Sequence, residues 1–327
     1  MRKTTSKISI IGGGNVGIRY AYAMLIKNLT REIVIVDIDK ERVEGEVMDL
    51  SHGIPFYSPV KLSAGDYPNI YGSDLIVITA GISQKPGQNR LDLVKTNAEL
   101  YKKIIPEIME YAPKAILVVV TNPVDILSYI AFRIAHQLTK KPAHEVIGSG
   151  TVLDSARFRY ILGTYCSVDP ANVHGYILGE HGDSEFAAWS SVSIGGVLLK
   201  DYCPVCERHQ DHHDCEDHKL EYDEIVNQVR NAAYEIINRK GESSYGIGIA
   251  LTRITRAILK DENSILPVSS LISDYLGLED VYLSIPAIIN HEGVRSMIRL
   301  ELNSSEQIAL KKSAEKIKDV LKNIALE

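Results

Sequence analysis

The feature that most constrains this chain is a glycine cluster near its beginning. Gly12-Gly13-Gly14-Asn15-Val16-Gly17 contains the spacing Gly12-x-Gly14-x-x-Gly17, directly after the β-branched run Ile8-Ser9-Ile10-Ile11 and before a helical pattern from Val16 to Lys27. In such a strand-turn-helix unit one glycine makes the turn tight, one lets backbone N–H groups approach a pyrophosphate, and one lets helix and strand pack closely. The helix N-terminus then faces the phosphate charge. Glycines alone also fit a ligand-free turn. Asp37 separates the two readings, because it follows the next apolar run, Ile33-Val34-Ile35-Val36, 20 residues beyond Gly17. A carboxylate there accepts both ribose hydroxyls of a dinucleotide and repels a 2′-phosphate, which points to NAD rather than NADP.

The first half continues the pattern. Leu75-Ile76-Val77-Ile78 and Ile116-Leu117-Val118-Val119-Val120 are continuous apolar runs, and helical patterns cover Arg90 to Met109 and Val124 to His136. Unbroken runs of this kind are strands buried on both faces. Their alternation with helices predicts an α/β fold, a doubly wound parallel (Rossmann) sheet, over residues 1–145. Residues 146–327 read as an appended α+β substrate domain. Ile177-Leu178 and Ser190 to Leu199 resemble antiparallel strands, and Ile225 to Arg239 is amphipathic. A last helix, Ser304 to Ala325, is expected to carry Ile308, Ile317, Leu321 and Ile324 on one face, with Ser304 and Gln307 as a capping box. Neither repeats nor a Pro/Ser-rich linker appear, so the two parts are expected to share a tight interface with a site in the cleft between them.

Composition removes several functions. Lys and Arg number 36 against 42 Asp and Glu, a formal charge of -6 with the signs interspersed, so no basic stripe exists to collect nucleic acid. The longest apolar run, Ala115 to Val120, is far short of the roughly 20 residues that span a bilayer. The basic start, Met1 to Lys7, leads into a strand and glycines rather than the core of a signal peptide, and four cysteines are too few for a secreted disulfide framework. A cytoplasmic protein is the expectation.

Three further residues suggest chemistry. Asp154 and Arg157 stand one helical turn apart, a spacing that also suits a plain surface ion pair. His181 lies between glycines in Gly179-Glu180-His181-Gly182-Asp183, which equally suits an idle loop histidine. Together they form a device in which a His moves a proton, an Asp fixes its tautomer, and an Arg holds a carboxylate through two bonds. Beside a nicotinamide that device suits hydride transfer to a 2-oxo acid.

The segments 81–93 (from Gly81 to Leu93), 121–125 (Thr121-Asn122-Pro123-Val124-Asp125), 148–157 (from Gly148 to Arg157) and 179–183 resemble, in order and spacing, the signatures of the lactate/malate dehydrogenase family, and among its members the bacterial L-lactate dehydrogenases. The resemblance runs from residue 8 nearly to the C-terminus and breaks only around 200–219. It implies His181 as proton donor and acceptor, Asp154 as its orienting partner, Arg157 as the clamp on the substrate carboxylate, and Arg90 as the group that polarises the keto oxygen. Gln84, Asn122, Asp125 and Ser243 would complete the substrate site. Gly12, Gly14, Val16, Gly17, Asp37, Arg42, Gly81, Val120, Asn122 and Ile247 would hold NAD. Malate dehydrogenases share most of these motifs. A neutral Gln84 offers no compensation for burying the second carboxylate of oxaloacetate, so pyruvate and L-lactate are the implied substrates, and Leu91, where malate enzymes carry an acid, agrees. Ser243 replaces a threonine usual in lactate enzymes and so loses a methyl group beside the substrate. Arg159 and His174 match positions that, in the bacterial enzymes activated by fructose 1,6-bisphosphate, bind the phosphates across a subunit interface, and this in turn implies a homotetramer.

Residues 202–218 depart from that family. Cys203-x-x-Cys206 and Cys215-x-x-His218 are two ligand pairs separated by eight residues, with His209, His212 and His213 alongside. A structural zinc knuckle, a redox-labile disulfide and a polar surface loop all fit this insert.

Overall fold

The computed structural model describes residues 6–82, 90–203, 208–209 and 219–324. In chain order the first half supplies β1 (Lys7–Ile11), α1 (Asn15–Lys27), β2 (Glu32–Val36), α2 (Lys40–His52), β3 (Lys61–Gly65), β4 (Leu75–Ile78), α3 (Arg90–Tyr111), β5 (Ile116–Val119), α4 (Val124–Thr139) and β6 (Val146–Gly148). These strands pair in parallel in the order β6-β5-β4-β1-β2-β3. Alternate residues feed two separate cores. Ile8, Ile10, Ile33, Ile35, Leu75 and Val77 enter one, and Ile11, Val34, Val36, Ile76, Ile78 and Val119 the other. Two buried faces explain why β1, β2, β4 and β5 read as unbroken apolar runs, whereas the edge strand β3 (KLSAG) is only partly buried and gives none.

The second half supplies α5 (Val152–Tyr165), β7 (Val173–His174), β8 (Ile177–Leu178), β9 (Phe186–Ala187), β10 (Ser193–Ile194), β11 (Val197–Leu198), β12 (Tyr202–Cys203), β13 (Arg208–His209), α6 (Lys219–Lys240), α7 (Tyr245–Leu259), β14 (Ser264–Leu266), β15 (Ser269–Ile272), β16 (Val281–Ser284), β17 (Ala287–Asn290), β18 (Gly293–Met297) and α8 (Ser304–Lys322). It is interleaved with the first. β15 adds antiparallel to β6 and β16 to β15, so the sheet grows to eight strands. Helix α7, whose pattern the sequence reading passed over, brings Leu251, Ile254 and Ile258 into the core beneath α1, and the Tyr20 hydroxyl meets Thr255 Oγ1 at 2.7 Å. A third core, around Phe158, Leu162, Val173, Ile177 and Val229, joins α5 to α6 and carries the short strands. No helix among the described residues is long and apolar enough to cross a membrane.

Three expectations are corrected. Trp189–Ser191 is a 3-10 turn, and strand structure within 190–199 is confined to two-residue β10 and β11. The capping box of α8 lies one residue earlier than read: Asn303 Oδ1 accepts the Glu306 N–H at 2.9 Å, and Glu306 Oε2 accepts the Asn303 N–H at 2.9 Å. Ile308 is 67% exposed, because nine residues from Ile317 is half a rotation out of phase; Leu310, Ala314 and Ile317 form the buried face.

Candidate active site

The turn from β1 into α1 gives each glycine a separate task. Gly12 has φ +109°, and a Cβ there would lie 2.4 Å from the Ala80 nitrogen. A Cβ on Gly17 would lie 2.1 Å from the Gly12 carbonyl oxygen. Gly14, by contrast, has nothing within 4 Å of where its Cβ would stand, and as N-cap it leaves the first N–H groups of α1 without a side-chain partner. The result is an open cradle at a helix N-terminus, which fits an anionic pyrophosphate. Asp37 follows β2 and is fixed by the N–H groups of Gly13 (2.6 Å to Oδ2) and Asp39 (2.9 Å to Oδ1). Arg42 donates from Nη2 to the Gly13 carbonyl at 2.6 Å, so the segment after β2 holds both the N–H and the carbonyl of Gly13. Val16 lies in the first turn of α1, and Gly81 faces Thr121 so closely that a Cβ would meet its Cγ2 at 2.1 Å. These residues fit NAD.

The second cluster forms where α5 meets the loop after β8. Asp154, in the first turn of α5, is 2% exposed and uses one oxygen for each partner: Oδ2 lies 2.6 Å from His181 Nδ1, and Oδ1 accepts from Arg157 Nη1 at 2.9 Å. A carboxylate between two cations is held below its usual range: burial opposes ionisation, but His181 and Arg157 outweigh it. Burial likewise opposes charge on His181, whose side chain is 26% exposed, yet Asp154 pushes its pKa up to about 9. The loop that bears His181 is tied down along its whole length. Gly179 pairs with Ser284 through both main-chain bonds at 3.0 Å. Ser313 Oγ accepts the Glu180 N–H and donates to the Ser184 carbonyl, Lys316 pairs with the Glu180 carboxylate at 2.7 Å, and Arg230 donates twice to the Glu185 carbonyl.

Asp125 lies in the first turn of α4, beside the loop that bears His181. It is 2% exposed, its Oδ2 accepts the His181 N–H at 2.8 Å, and its Oδ1 accepts the Ser269 hydroxyl at 2.6 Å. Both oxygens are engaged inside the protein, and one of them holds the main chain of the loop that bears His181. Asn122 is exposed just beyond β5, and its main-chain oxygen accepts from Asn97 Nδ2 at 3.2 Å. Val120 hangs on the Ile78 carbonyl, Ser243 lies in the turn before α7, and Ile247 is half-buried in its first turn. Arg90 heads α3. Its side chain lies outside the described residues, as do that of Leu91 and the whole of Gln84. Arg159, on α5, donates to the carbonyls of Pro170 and Ala171, and His174 is exposed on β7. Of the insert, Cys206, Cys215 and His218 lie outside the described residues. Cys203 enters only through the backbone pairing of β12 with β13. Among the described residues the one cluster able to hold a metal is Asp154, His181 and Glu185.

Two supports escaped the sequence reading. Asn97 is fully buried on α3, with Oδ1 accepting the Ile82 N–H at 2.8 Å and Nδ2 reaching both Ile82 and Asn122, so it joins the loop after β4 to the loop after β5. Glu185 is 2% exposed and within 4.8 Å of the His181 and Asp154 polar atoms; burial, then the Asp154 charge, push its pKa up to about 8. Its place four residues after His181 in the GEHGDSE segment was the available signal.

Comparison with known proteins agrees with this geometry. Residues 6–148 match the model of the lactate/malate dehydrogenase NAD binding domain, and residues 151–327 that of the lactate/malate dehydrogenase alpha/beta C-terminal domain. An L-lactate dehydrogenase of Thermoanaerobacter sp. (strain X514) is 47% identical over 319 residues, 98% of this chain and 99% of the relative. One from Acetivibrio thermocellus is 46% identical over 322 residues, 98% of each chain. Among solved structures, a minor L-lactate dehydrogenase from Enterococcus mundtii superposes with a TM-score of 0.91 at 41% identity, covering 99% of this chain and 100% of that one.

Proposed function

The chain belongs to the lactate/malate dehydrogenase family of NAD-dependent oxidoreductases, and from that premise we propose that it is an L-lactate dehydrogenase interconverting pyruvate and L-lactate. One observation carries the reading: Asp154 is bonded at once to His181 and Arg157, which couples a proton donor to a carboxylate anchor through one buried acid. Bound NADH supplies the hydride that reaches C2 of pyruvate. His181, charged at neutral pH, gives its proton to the keto oxygen. Asp154 holds the Nδ1–H, which leaves Nε2 as the atom that transfers the proton. Arg157 spends one N–H on Asp154, and the planar guanidinium has further donors for both oxygens of the substrate carboxylate. Asn122 takes the oxygen from the cofactor side, and Arg90, at the head of α3, stabilises the charge that develops there.

Gln84 supports pyruvate over oxaloacetate, since a neutral side chain leaves a second carboxylate uncompensated. We extend the proposal to regulation in a cytoplasmic homotetramer. Arg159 is braced by two carbonyls while its buried Nε has no partner among the described residues, and with His174 it offers two cations to the phosphates of fructose 1,6-bisphosphate. The test is NADH oxidation with pyruvate and with oxaloacetate at one enzyme concentration, with and without millimolar fructose 1,6-bisphosphate. The expected result is a large kcat/KM preference for pyruvate and a pyruvate KM lowered by the activator. Preference for oxaloacetate overturns the substrate, and an unchanged KM overturns the activator.

A further inference from the structure

We propose that Asp125, braced by Ser269, is a positioning residue for proton transfer: it fixes the main chain of His181 to the helix that begins two residues after Asn122. The inference rests on the functional reading above and deepens it. Asp154 holds only the ring of His181; a ring held at one nitrogen still swings about its own backbone unless that backbone is fixed as well. The His181 N–H finds its acceptor in Asp125 Oδ2 at 2.8 Å, in the first turn of α4. The second oxygen is locked by the Ser269 hydroxyl at 2.6 Å, from β15, whose backbone pairs with Gly148 on β6. One carboxylate therefore links the His181 amide hydrogen, α4 and β15, elements from both halves of the chain, and with Asp125 2% and Ser269 0% exposed water does not stand in for either.

The location matters as much as the bonds. Val120 and Asn122, read as lining the nicotinamide and the keto oxygen, leave β5 immediately before α4, so α4 begins at the cofactor face of the site. Asp125 makes His181 share that origin. Hydride and proton then reach adjacent atoms of one substrate from supports that cannot drift apart, and a displacement of about 1 Å between such supports costs on the order of 100-fold in rate. The bond to an ionised acceptor is the stronger kind. Asp125 faces the His181 and Glu180 charges from the loop and a neutral hydroxyl from β15; burial, opposed by its hydrogen bonds and by His181, pushes its pKa up to about 6. The brace therefore holds at neutral pH and weakens as acidification through about pH 6 adds a proton.

The experiment compares the intact enzyme with Asp125→Ala, Asp125→Asn and Ser269→Ala, measuring NADH affinity by fluorescence and pyruvate kcat and KM from pH 5 to 8. Turnover by the unaltered enzyme tests the functional reading; the ratio of variant to unaltered enzyme tests this one, and it is taken on whichever 2-oxo acid is turned over. Expected is a fall in kcat of about 100-fold for Asp125→Ala, with NADH affinity within twofold and pyruvate KM within about threefold. Asp125→Asn retains a carbonyl acceptor, so kcat recovers to within about tenfold of the original and the acid step near pH 6 disappears. Ser269→Ala falls between the intact enzyme and Asp125→Ala. Full kcat in a folded Asp125→Ala enzyme overturns the proposal. So does an acid step that persists in Asp125→Asn, or parallel loss of cofactor binding and kcat in Asp125→Asn and Ser269→Ala, two variants that keep the volume of the site nearly intact should the alanine at 125 fail to fold.

Discussion

One methyl group on Gly17 would come within 2.1 Å of a carbonyl oxygen, while in the second cluster Asp154 sits between His181 and Arg157 with ordinary spacing and no room problem. The cradle is made of backbone and owes its shape to atoms that are missing. The His181 cluster is made of side chains and owes its behaviour to an arrangement of buried charge. Steric change should therefore damage the first and leave chemistry intact, whereas charge change should damage the second and leave binding intact.

The largest expected effect breaks the chemical end alone. His181→Gln removes the group proposed to donate the proton, and general acid catalysis contributes about 10²- to 10⁴-fold; kcat for pyruvate should fall within that range while NADH affinity stays within about twofold. Loss of both together would show that the two ends are not separable. Next comes the mirror experiment. Gly17→Val forces α1 away from the β1 turn, and NADH affinity should weaken by about 100-fold. At saturating NADH, kcat should remain within several-fold of the original, measured by stopped-flow turnover.

The same contrast explains what could be read from the sequence. Four of the six parallel strands, β1, β2, β4 and β5, and the cradle were legible because burial on two faces forces unbroken apolar runs, and because a φ of +109° or a 2.1 Å contact calls for glycine; the partly exposed edge strand β3 and the three-residue β6 carry no such run. These are local constraints and leave local traces. The pocket was legible only where a residue type has few other uses, as with Asp154, Arg157 and His181. The bonds that Asp125 makes to the His181 N–H and to Ser269, 144 positions away, leave no trace in any local pattern. Glu185 was passed over because an isolated glutamate usually faces solvent. Tertiary packing also placed α7 under α1, a choice that helical periodicity does not record. The shift of the α8 cap by one residue has a simpler cause: Asn303/Glu306 and Ser304/Gln307 satisfy the same local pattern, and the two bonds that Ser190 donates to the Glu306 carboxylate favour the first.

Glu185 sharpens the charge side of the comparison. Its carboxyl, pushed up to about 8, gives up its proton near the pH at which the neighbouring His181 still holds one, and the resulting negative charge raises the His181 pKa. In the proposed reaction protonated His181 drives pyruvate reduction, so its rate should hold at neutral pH and fall as pH rises through about 9; lactate oxidation should rise over the same interval. Glu185→Gln removes the raising charge. Both limbs should then move to lower pH by about half a unit or more, read from kcat/KM against pH in each direction, while NADH affinity is unaffected. An alkaline limb that stays in place, or moves upward, would show that Glu185 does not feel the imidazolium.

The smallest effect should come from the contact that joins the two ends. Tyr20 lies on the helix that follows the cradle and Thr255 on the helix that begins beside Ser243 and carries Ile247; their hydroxyls meet at 2.7 Å in a fully buried position. Burial pushes the Tyr20 phenol well above its usual range, so the contact stays a neutral hydrogen bond across the working pH interval. Tyr20→Phe keeps the ring in its place and removes one buried bond, while Thr255 can still turn its hydroxyl toward a carbonyl of its own helix. The expected cost is about 1 kcal/mol of stability, a fall in Tm of about 2 °C for a chain of this size, with NADH affinity and pyruvate kcat unchanged. The mild outcome follows because apolar packing by Leu251, Ile254 and Ile258 already holds α7 to α1. A fall in kcat without a fall in Tm would mean that this hydroxyl pair transmits position between cradle and pocket, and the separation of the two ends would then fail at its narrowest point.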